Sequence, residues 1–369
     1  MMDTYPNQQG VQPLNITWTG KGSKFLGLSF KVFFLKVLTL FLYHFWGKTE
    51  VRKRLWNHTE LNSQPLEYTG RGMELFLGFL IVIFVFFLPI GFLMGFLQVK
   101  YGEQSWQYYT SLGLFYMAAI YLTGVAIYSA RRYRLSRTQW RGIRGAMVGS
   151  AWKFGITALF TGLVTIISLF FLHPWAQIKL QKILTDETRF GDMPMHFTGS
   201  ATPLFKYYLF PWIGMLLAYG LAFFFFYEKF QIMLEMINDP TKMDPEIFFP
   251  IYFQFLGLLI ALGLVVTLLY AWYSSRYYNY VAENTHFSNG NFTLTTTGGG
   301  LIWLHLSNFF IVLFSLGILG PVAAARLLGY FISNLSFQGT IDVAQIAQSQ
   351  EELSRTGEGL AEGFDIDIF

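Results

Sequence analysis

Residues 73–98, MELFLGFLIVIFVFFLPIGFLMGFLQ, carry one charge, Glu74, at their edge. A run of this kind meets the ~20 apolar residues that a helix needs to cross hydrocarbon. Six more apolar segments follow the same pattern, at roughly 25–47, 111–130, 150–173, 203–227, 248–273 and 301–330. Three are interrupted. Lys31 and Lys36 lie in 25–47, Lys153 near the start of 150–173, and 301–330 holds Trp303, His305 and Asn308, then Gly317, Gly320 and Pro321. The 369-residue chain is 53% hydrophobic and 13% charged, about half the charge of an ordinary soluble domain. That excludes a soluble domain and a largely disordered chain. Zero Cys excludes a disulfide framework, thiol nucleophiles and thiolate metal sites. The expected class is an all-α polytopic membrane protein: about seven apolar helices, some broken or re-entrant, with repeated interfacial linkers.

The net charge of +4 hides a segregation. Residues 131–149 carry six Arg and no acid, and residues 48–72 carry Lys48, Arg52, Lys53, Arg54 and Arg71 against three Glu. The last thirty residues carry seven acids and one Arg. Basic clusters flanking membrane-length segments follow the positive-inside rule, so nucleic acid is not an expected partner. The opening MMDTYPNQQG lacks a charged n-region followed by an apolar stretch, so no cleavable signal peptide is expected.

An internal repeat organises the linkers. From Trp46 and again from Trp175 the chain runs Trp, twelve residues, Thr (Thr59, Thr188), then aromatic-Thr-Gly ending eleven residues later. A third copy begins at Trp272, with Thr285 thirteen residues on. Ahead of these, TLFLYHFWG (39–47), SLFFLHPWA (168–176) and SLGILGPVA (315–323) align. Looser copies are 130–142 and 326–339. One linker reads as a Trp at headgroup level, an interfacial helix, an Asn/Asp/Glu-Thr stop and an extended piece. Extended pieces from several linkers either pair as a small sheet or remain separate loops. The expected organisation is a polar segment (1–24), a first membrane repeat (25–149), a second (150–300), a partial third (301–339) and an acidic tail (340–369).

The linkers carry a resemblance. TLFLYHFWGKTEVRKRLWNHTELNSQPLEYTG, RRYRLSRTQWRGIRGAMVGSAW and WYSSRYYNYVAENTHF resemble the YjgN family of bacterial inner-membrane proteins over about residues 15–340. The most specific match is Ser136, Arg137, Thr138, Trp140, Arg141, Gly142, Ile143 and Arg144. Phe41 and Phe170 stand where the family pattern has Gly, and Phe45 where it has Pro. The resemblance implies a multi-pass location in the bacterial inner (cytoplasmic) membrane and a fold, with no molecular activity attached.

Two topologies compete. In one, seven helices cross and the halves are inverted repeats. In the other, favoured by the Lys, Gly and Pro content, 25–47, 150–173 and 301–330 are broken and return to the cytoplasm. Covering protein would then have to shelter their non-helical backbone. The two segment pairs 73–98/111–130 and 203–227/248–273 form in-out-in hairpins in this second case.

The chemistry expected is sparse. Only Glu74 lies inside an apolar segment, which argues against ion-coupled transport and buried carboxylate enzymes. HExxH, Walker A and GxSxG motifs are absent. No catalytic, cofactor or metal residue is therefore assigned. His44 and His173 occupy equivalent repeat positions and read as a metal pair or as interfacial His. Lys31 and Lys36 read as lipid or carboxylate ligands or as snorkelling side chains. Arg131, Arg132, Arg134, Arg137, Arg141 and Arg144, with Trp140, read as a phosphate clamp or a topology signal. Trp46, Trp175 and Trp272 read as anchors at one membrane depth. The expected partners are membrane lipids and a protein docking on the linkers or acidic tail. The expected function is lipid or small-solute handling, transport or scaffolding. The alternatives are a membrane enzyme acting on lipid and an accessory subunit of a membrane protease.

Overall fold

A computed structural model describes residues 11–102, 105–342 and 346–349. In chain order the helices are α1 (Leu26–Leu38), α2 (His44–Trp56), α3 (Gly72–Val82), α4 (Leu88–Tyr101), α5 (Trp106–Arg137) and α6 (Ala151–Ile167). They continue with α7 (His173–Asp186), α8 (Thr202–Asn238), α9 (Pro245–Glu283), α10 (Gly298–Phe314) and α11 (Gly320–Ser333). A π-helical turn, Ile83–Phe87, joins α3 to α4. Pro89 follows it and has no N–H for the ladder, so the helix widens there instead of ending.

Four helical stretches among the described residues are long and apolar enough to cross a membrane: Gly72–Tyr101, Trp106–Arg137, Thr202–Asn238 and Pro245–Glu283. The other three apolar segments do not cross as single helices. Each breaks into a helical hairpin, α1–α2, α6–α7 and α10–α11. Of the seven apolar segments, four are thus helices of crossing length and three are broken, so a count of about seven apolar helices is not confirmed.

The physical cause of the break is the same in all three. Leu40 and Phe41, Leu169 and Phe170, and Leu316 and Gly317 take left-handed φ values of 48° to 84°. A hydroxyl one residue earlier caps the second arm. Thr39, Ser168 and Ser315 accept the N–H of Tyr43, Leu172 and Leu319 at 2.9, 3.1 and 3.1 Å. The first arm closes with the N–H of Phe41, Phe170 and Gly317 reaching back five residues, at 2.7, 2.8 and 2.8 Å, a Schellman-type end. Phe41 and Phe170 adopt the conformation that Gly317 adopts, so the loss of Gly does not loosen the turn.

The expectation of an all-α chain is also corrected. The strands are β1 (Val11–Pro13), β2 (Ile16–Trp18), β3 (Thr59–Leu61), β4 (Gln64–Pro65), β5 (Glu67–Tyr68), β6 (Thr138–Trp140) and β7 (Ile143–Met147). The rest are β8 (Thr188–Phe190), β9 (Met193–Phe197), β10 (Thr285–Phe287), β11 (Gly290–Leu294), β12 (Leu335–Gln338) and β13 (Thr340–Asp342). An eight-stranded antiparallel sheet runs β12-β11-β10-β9-β8-β7-β6-β5, and a three-stranded one runs β2-β3-β4. β4 and β5 flank Leu66, whose N–H bonds to Thr59, so the two sheets are consecutive. The free ends, β2 and β12, are in contact, and the array curls into a ring. β1 pairs with β13 beside it.

Threonine builds the ring's junctions. Thr59, Thr138, Thr188 and Thr285 each begin a strand and donate a hydroxyl to the carbonyl four residues back, at 3.2, 2.8, 2.6 and 2.7 Å. This side-chain bond competes with the helix ladder and ends it. The residue after each return strand then ties to the next junction. The N–H of Thr19, Thr69, Val148, Thr198 and Thr295 bonds to the carbonyl of His58, Arg137, Glu187, Asn284 and Asn334 at 2.9–3.1 Å. The third residues of the junction strands, Leu61, Trp140, Phe190, Phe287 and Phe337, meet in one apolar cluster with Leu14 and Ile341.

The linkers 48–72, 131–149, 174–202 and 274–300 all supply strands of the eight-stranded sheet, namely β5, β6–β7, β8–β9 and β10–β11. One hydrogen-bonded sheet cannot lie on both faces of a bilayer, so seven full crossings are excluded. By connectivity the chain leaves the ring and returns to it five times: hairpin, spanning pair, hairpin, spanning pair, hairpin.

The chain divides into two compact units. The first holds the ring, the α3–α5 spanning pair and the α1–α2 and α6–α7 hairpins. Within it α5 and α6 approach closely, because Gly124 faces Gly155 and Ala158 with no room for a Cβ; small residues let membrane helices pack backbone to backbone. The second comprises Ala201–Tyr278 and Thr296–Leu306. In it the two long helices meet through Tyr208 on Tyr273, ring centroids 4.9 Å apart, and through Gly214 against Leu269.

Candidate lipid-binding cavity

A cavity of about 380 Å³ opens between α1, α2, α11 and the turn before α11. Sequence dictates its shape. Gly47 of α2 lies against Val32 of α1, where a Cβ would sit 2.7 Å from Cγ1. The arms therefore touch there, while the bulkier Lys36, His44 and Lys48 line the open part. Phe25, Leu55, Val322 and Ala325 form the adjoining core.

The lining is apolar in the main, with Val32, Phe33, Val51, Leu55, Ile318 and Leu328. Among the described residues its charged groups are Lys36, Lys48 and Arg52, with His44 beside them. Arg52 is buried, donates to the Tyr68 hydroxyl at 3.3 Å and lies over that ring at 6.0 Å. The nearby carboxylate, Glu50, is outside the lining. Lys31 Nζ lies 2.8 Å from it and the Tyr43 hydroxyl donates to it at 2.7 Å. Burial works against a charged Glu50, but the bonds from Lys31 and Tyr43 outweigh it and hold the carboxyl below its usual range. The same bond raises Lys31. Ser29, the one hydroxyl in the lining, donates to the Phe25 carbonyl at 2.9 Å.

The sequence-predicted residues separate. Lys36 and His44 line the cavity and Lys31 pairs with Glu50. His173 begins α7 and is not in the lining. Among the described residues no group of three or more His, Asp and Glu is placed to hold a metal. Arg131, Arg132, Arg134 and Arg137 lie in the last turns of α5. Arg132 bonds the Gly149 carbonyl and Arg137 meets Glu74 at 2.9 Å. Arg141 bonds Gln64 at 2.6 Å, and Arg144 reaches the Ser349 carbonyl at 3.1 Å. These arginines are thus distributed among separate partners. Trp140 is corrected from an interfacial residue to a core one: it is 1% exposed and fills the ring. Trp46 and Trp175 are the third residues of α2 and α7, whereas Trp272 lies within the long α9. Their shared spacing to Thr measures distance to a strand junction, and the hairpin counterpart of Trp46 in α11 is Val322. Sequence reasoning missed Lys48 and Arg52, whose i, i+4 spacing along α2 was the available signal.

Four spanning helices, half-length hairpins and a ring gathering every linker define a multi-pass membrane protein. A family model, "Bacterial protein of unknown function (DUF898)", matches residues 13–363, and the chain belongs to that family. It is similar to the inner membrane protein YjgN of Salmonella typhimurium, 20% identical over 387 residues that cover 92% of each chain. The resemblance carried by the Ser136–Arg144 block therefore holds, and the chain is an inner-membrane protein. No solved structure matches it.

Proposed function

We propose that the protein binds an anionic membrane lipid in the cavity between α1, α2 and α11, as a non-catalytic lipid-handling protein. The supporting observation is the clustering of Lys36, Lys48 and Arg52 in an apolar wall. A phosphate or carboxylate headgroup pairs with such cations, and an acyl chain fills the remainder without unpaired polar groups. The Ser29 hydroxyl is turned to the Phe25 carbonyl. In this reading the ring faces the cytoplasm, because the Arg-rich end of α5 and the basic α2 lead into it. The five excursions from the ring are copies of one unit, a helical or spanning hairpin between two strands.

The test is lipid retention. Protein purified in mild detergent is analysed by mass spectrometry of bound lipid. An anionic lipid near one per chain is expected, falling about ten-fold or more in the Lys36→Glu/Lys48→Glu double variant, as for loss of a charge-assisted contact. Retention of only zwitterionic lipid, or undiminished retention in the variant, overturns the reading.

A further inference from the structure

The three hairpins share a charge register that the cavity does not use. Counting from the first left-handed residue of each turn, Leu40, Leu169 and Leu316, the residue nine before faces the residue ten after. In the first hairpin these are Lys31 and Glu50, an ion pair at 2.8 Å. In the second they are Phe160 and Lys179, with the ammonium 5.2 Å from the ring. In the third they are Ser307 and Arg326, bonded at 2.9 Å, with Asn308 accepting a second guanidinium bond at 2.8 Å. The first hairpin is neutralised at this register. The others hold a cation whose partners are rings or neutral oxygens: Lys179 over Phe160 and Trp175, Arg326 on Ser307 and Asn308.

The register sits at a telling depth. Seven or eight helical residues and the turn separate the register from each tip, a helical rise of about 11 Å, and the reach of a Lys or Arg side chain carries the charge to the edge of a leaflet about 15 Å deep. The tips beyond it are apolar and open: Leu40 is 85% exposed, Leu169 66% and Leu316 84%. All three hairpins start and finish at strands of the ring, so they enter from one side. We propose that the hairpins form a wedge in the ring-side leaflet alone, tips at the bilayer midplane, with Lys179 and Arg326 at the phosphate level, each bound to the phosphate of an anionic phospholipid. Apolar tips exclude a stop at the surface, and the register excludes a full crossing, which would carry Lys179 and Arg326 into hydrocarbon.

The native chain has no Cys, so the full-length protein in vesicles accepts single spin-labelled Cys at Leu40, Leu169 and Leu316. All three labels are expected at the bilayer centre by oxygen-against-nickel accessibility and closed to a water-soluble maleimide from both sides. Labelling from either aqueous side overturns the wedge. The phosphate assignment is read separately, from the preference of the motionally restricted lipid shell for phosphatidylglycerol over phosphatidylcholine. Lys179→Gln and Arg326→Gln are expected to lower it by up to about five-fold each, and Glu50→Gln, which releases Lys31, to raise it. A preference unchanged in the double variant Lys179→Gln/Arg326→Gln, or unchanged in Glu50→Gln, overturns that assignment. Lys36→Glu/Lys48→Glu, which empties the cavity in the reading above, is expected to leave tip depth and the Glu50→Gln effect intact, so the two proposals fail independently.

Discussion

The first and third hairpins break at the same place by the same means, yet their arms carry different chemistry. Thr39 and Ser315 cap the second arm alike, and Leu40 and Leu316 turn left-handed alike, at φ 48° and 50°. Between the arms, the first sets Lys31 against Glu50 and turns Lys36, Lys48 and Arg52 toward a cavity. The third sets Arg326 against Ser307 and Asn308 and lends the cavity only small and apolar residues of its turn and α11. The backbone break is therefore a template held by one hydroxyl and two left-handed residues. The arms vary over it, because a helix surface accepts almost any side chain once its ends are capped.

The largest expected effect separates the arms. Arg52→Met is expected to destabilise the first hairpin and lower anionic lipid retention about ten-fold or more, because it removes a buried cation bonded to Tyr68. Arg326→Met is expected to leave the cavity lipid retained and to lower only the phosphatidylglycerol preference of the surrounding lipid shell. Equal losses in the lipid assay for the two variants would erase the distinction drawn between the hairpins.

Next come the caps, where all three hairpins are expected to behave alike. Thr39→Ala, Ser168→Ala and Ser315→Ala each remove the acceptor for the N–H of the residue that leads into the second arm, Tyr43, Leu172 or Leu319. A loss of about 1 kcal/mol is expected for each, seen as a lower unfolding temperature in detergent. A cap that proves silent in one hairpin would show that its turn is held by other contacts. Close behind is the left-handed position itself. Gly317→Phe copies what Phe41 and Phe170 already do, at φ 68° and 66°. It is expected to cost about 1 kcal/mol, and Phe41→Gly to return about as much. The same melts measure both.

The smallest effect is the pH dependence of the Lys31–Glu50 pair. Glu50 is lowered, so its contribution is complete above the ordinary carboxylate range and fades as pH falls through its depressed pKa. Lys31 is raised, so its share is complete below 10.5 and fades only above its raised pKa. Melts of parent and Glu50→Gln are expected to converge in acid and to differ by no more than about 1 kcal/mol near neutrality, as for an exposed pair. The third hairpin has no such pair at this register, and Arg326→Gln is expected to be flat over the acid range.

Much of this architecture is visible in the residues. Length and hydropathy place the four spanning stretches, and the Lys, Gly and Pro content of the other three segments marks them as broken. The aligned TLFLYHFWG, SLFFLHPWA and SLGILGPVA are the three turns, with Thr39, Ser168 and Ser315 as their caps. Residues 350–369 of the acidic tail, read above as a docking surface for a protein, lie outside the described residues, and so does any contact of theirs with the Arg131–Arg144 block. What does lie on that block is Gln348, whose amide donates to Gly142 at 2.8 Å, and Ser349, whose carbonyl takes Arg144.

Other features were hidden for a physical reason. Strands of two to five residues are too short to show a period, so the ring is written only in its Thr junctions and in Leu61, Trp140, Phe190, Phe287 and Phe337, which are far apart in sequence. Trp140 reads as interfacial beside the arginines because indole suits both an interface and a core, and only the closing of strands around it decided between them. The cavity is a property of α1, α2 and α11 together, whose lining residues run from Ser29 to Leu328. Local sequence determines where a helix crosses, breaks or stops, because those choices depend on nearby backbone bonds and apolar length. Which cations share a cavity depends on long-range packing, and the tertiary structure alone decided it.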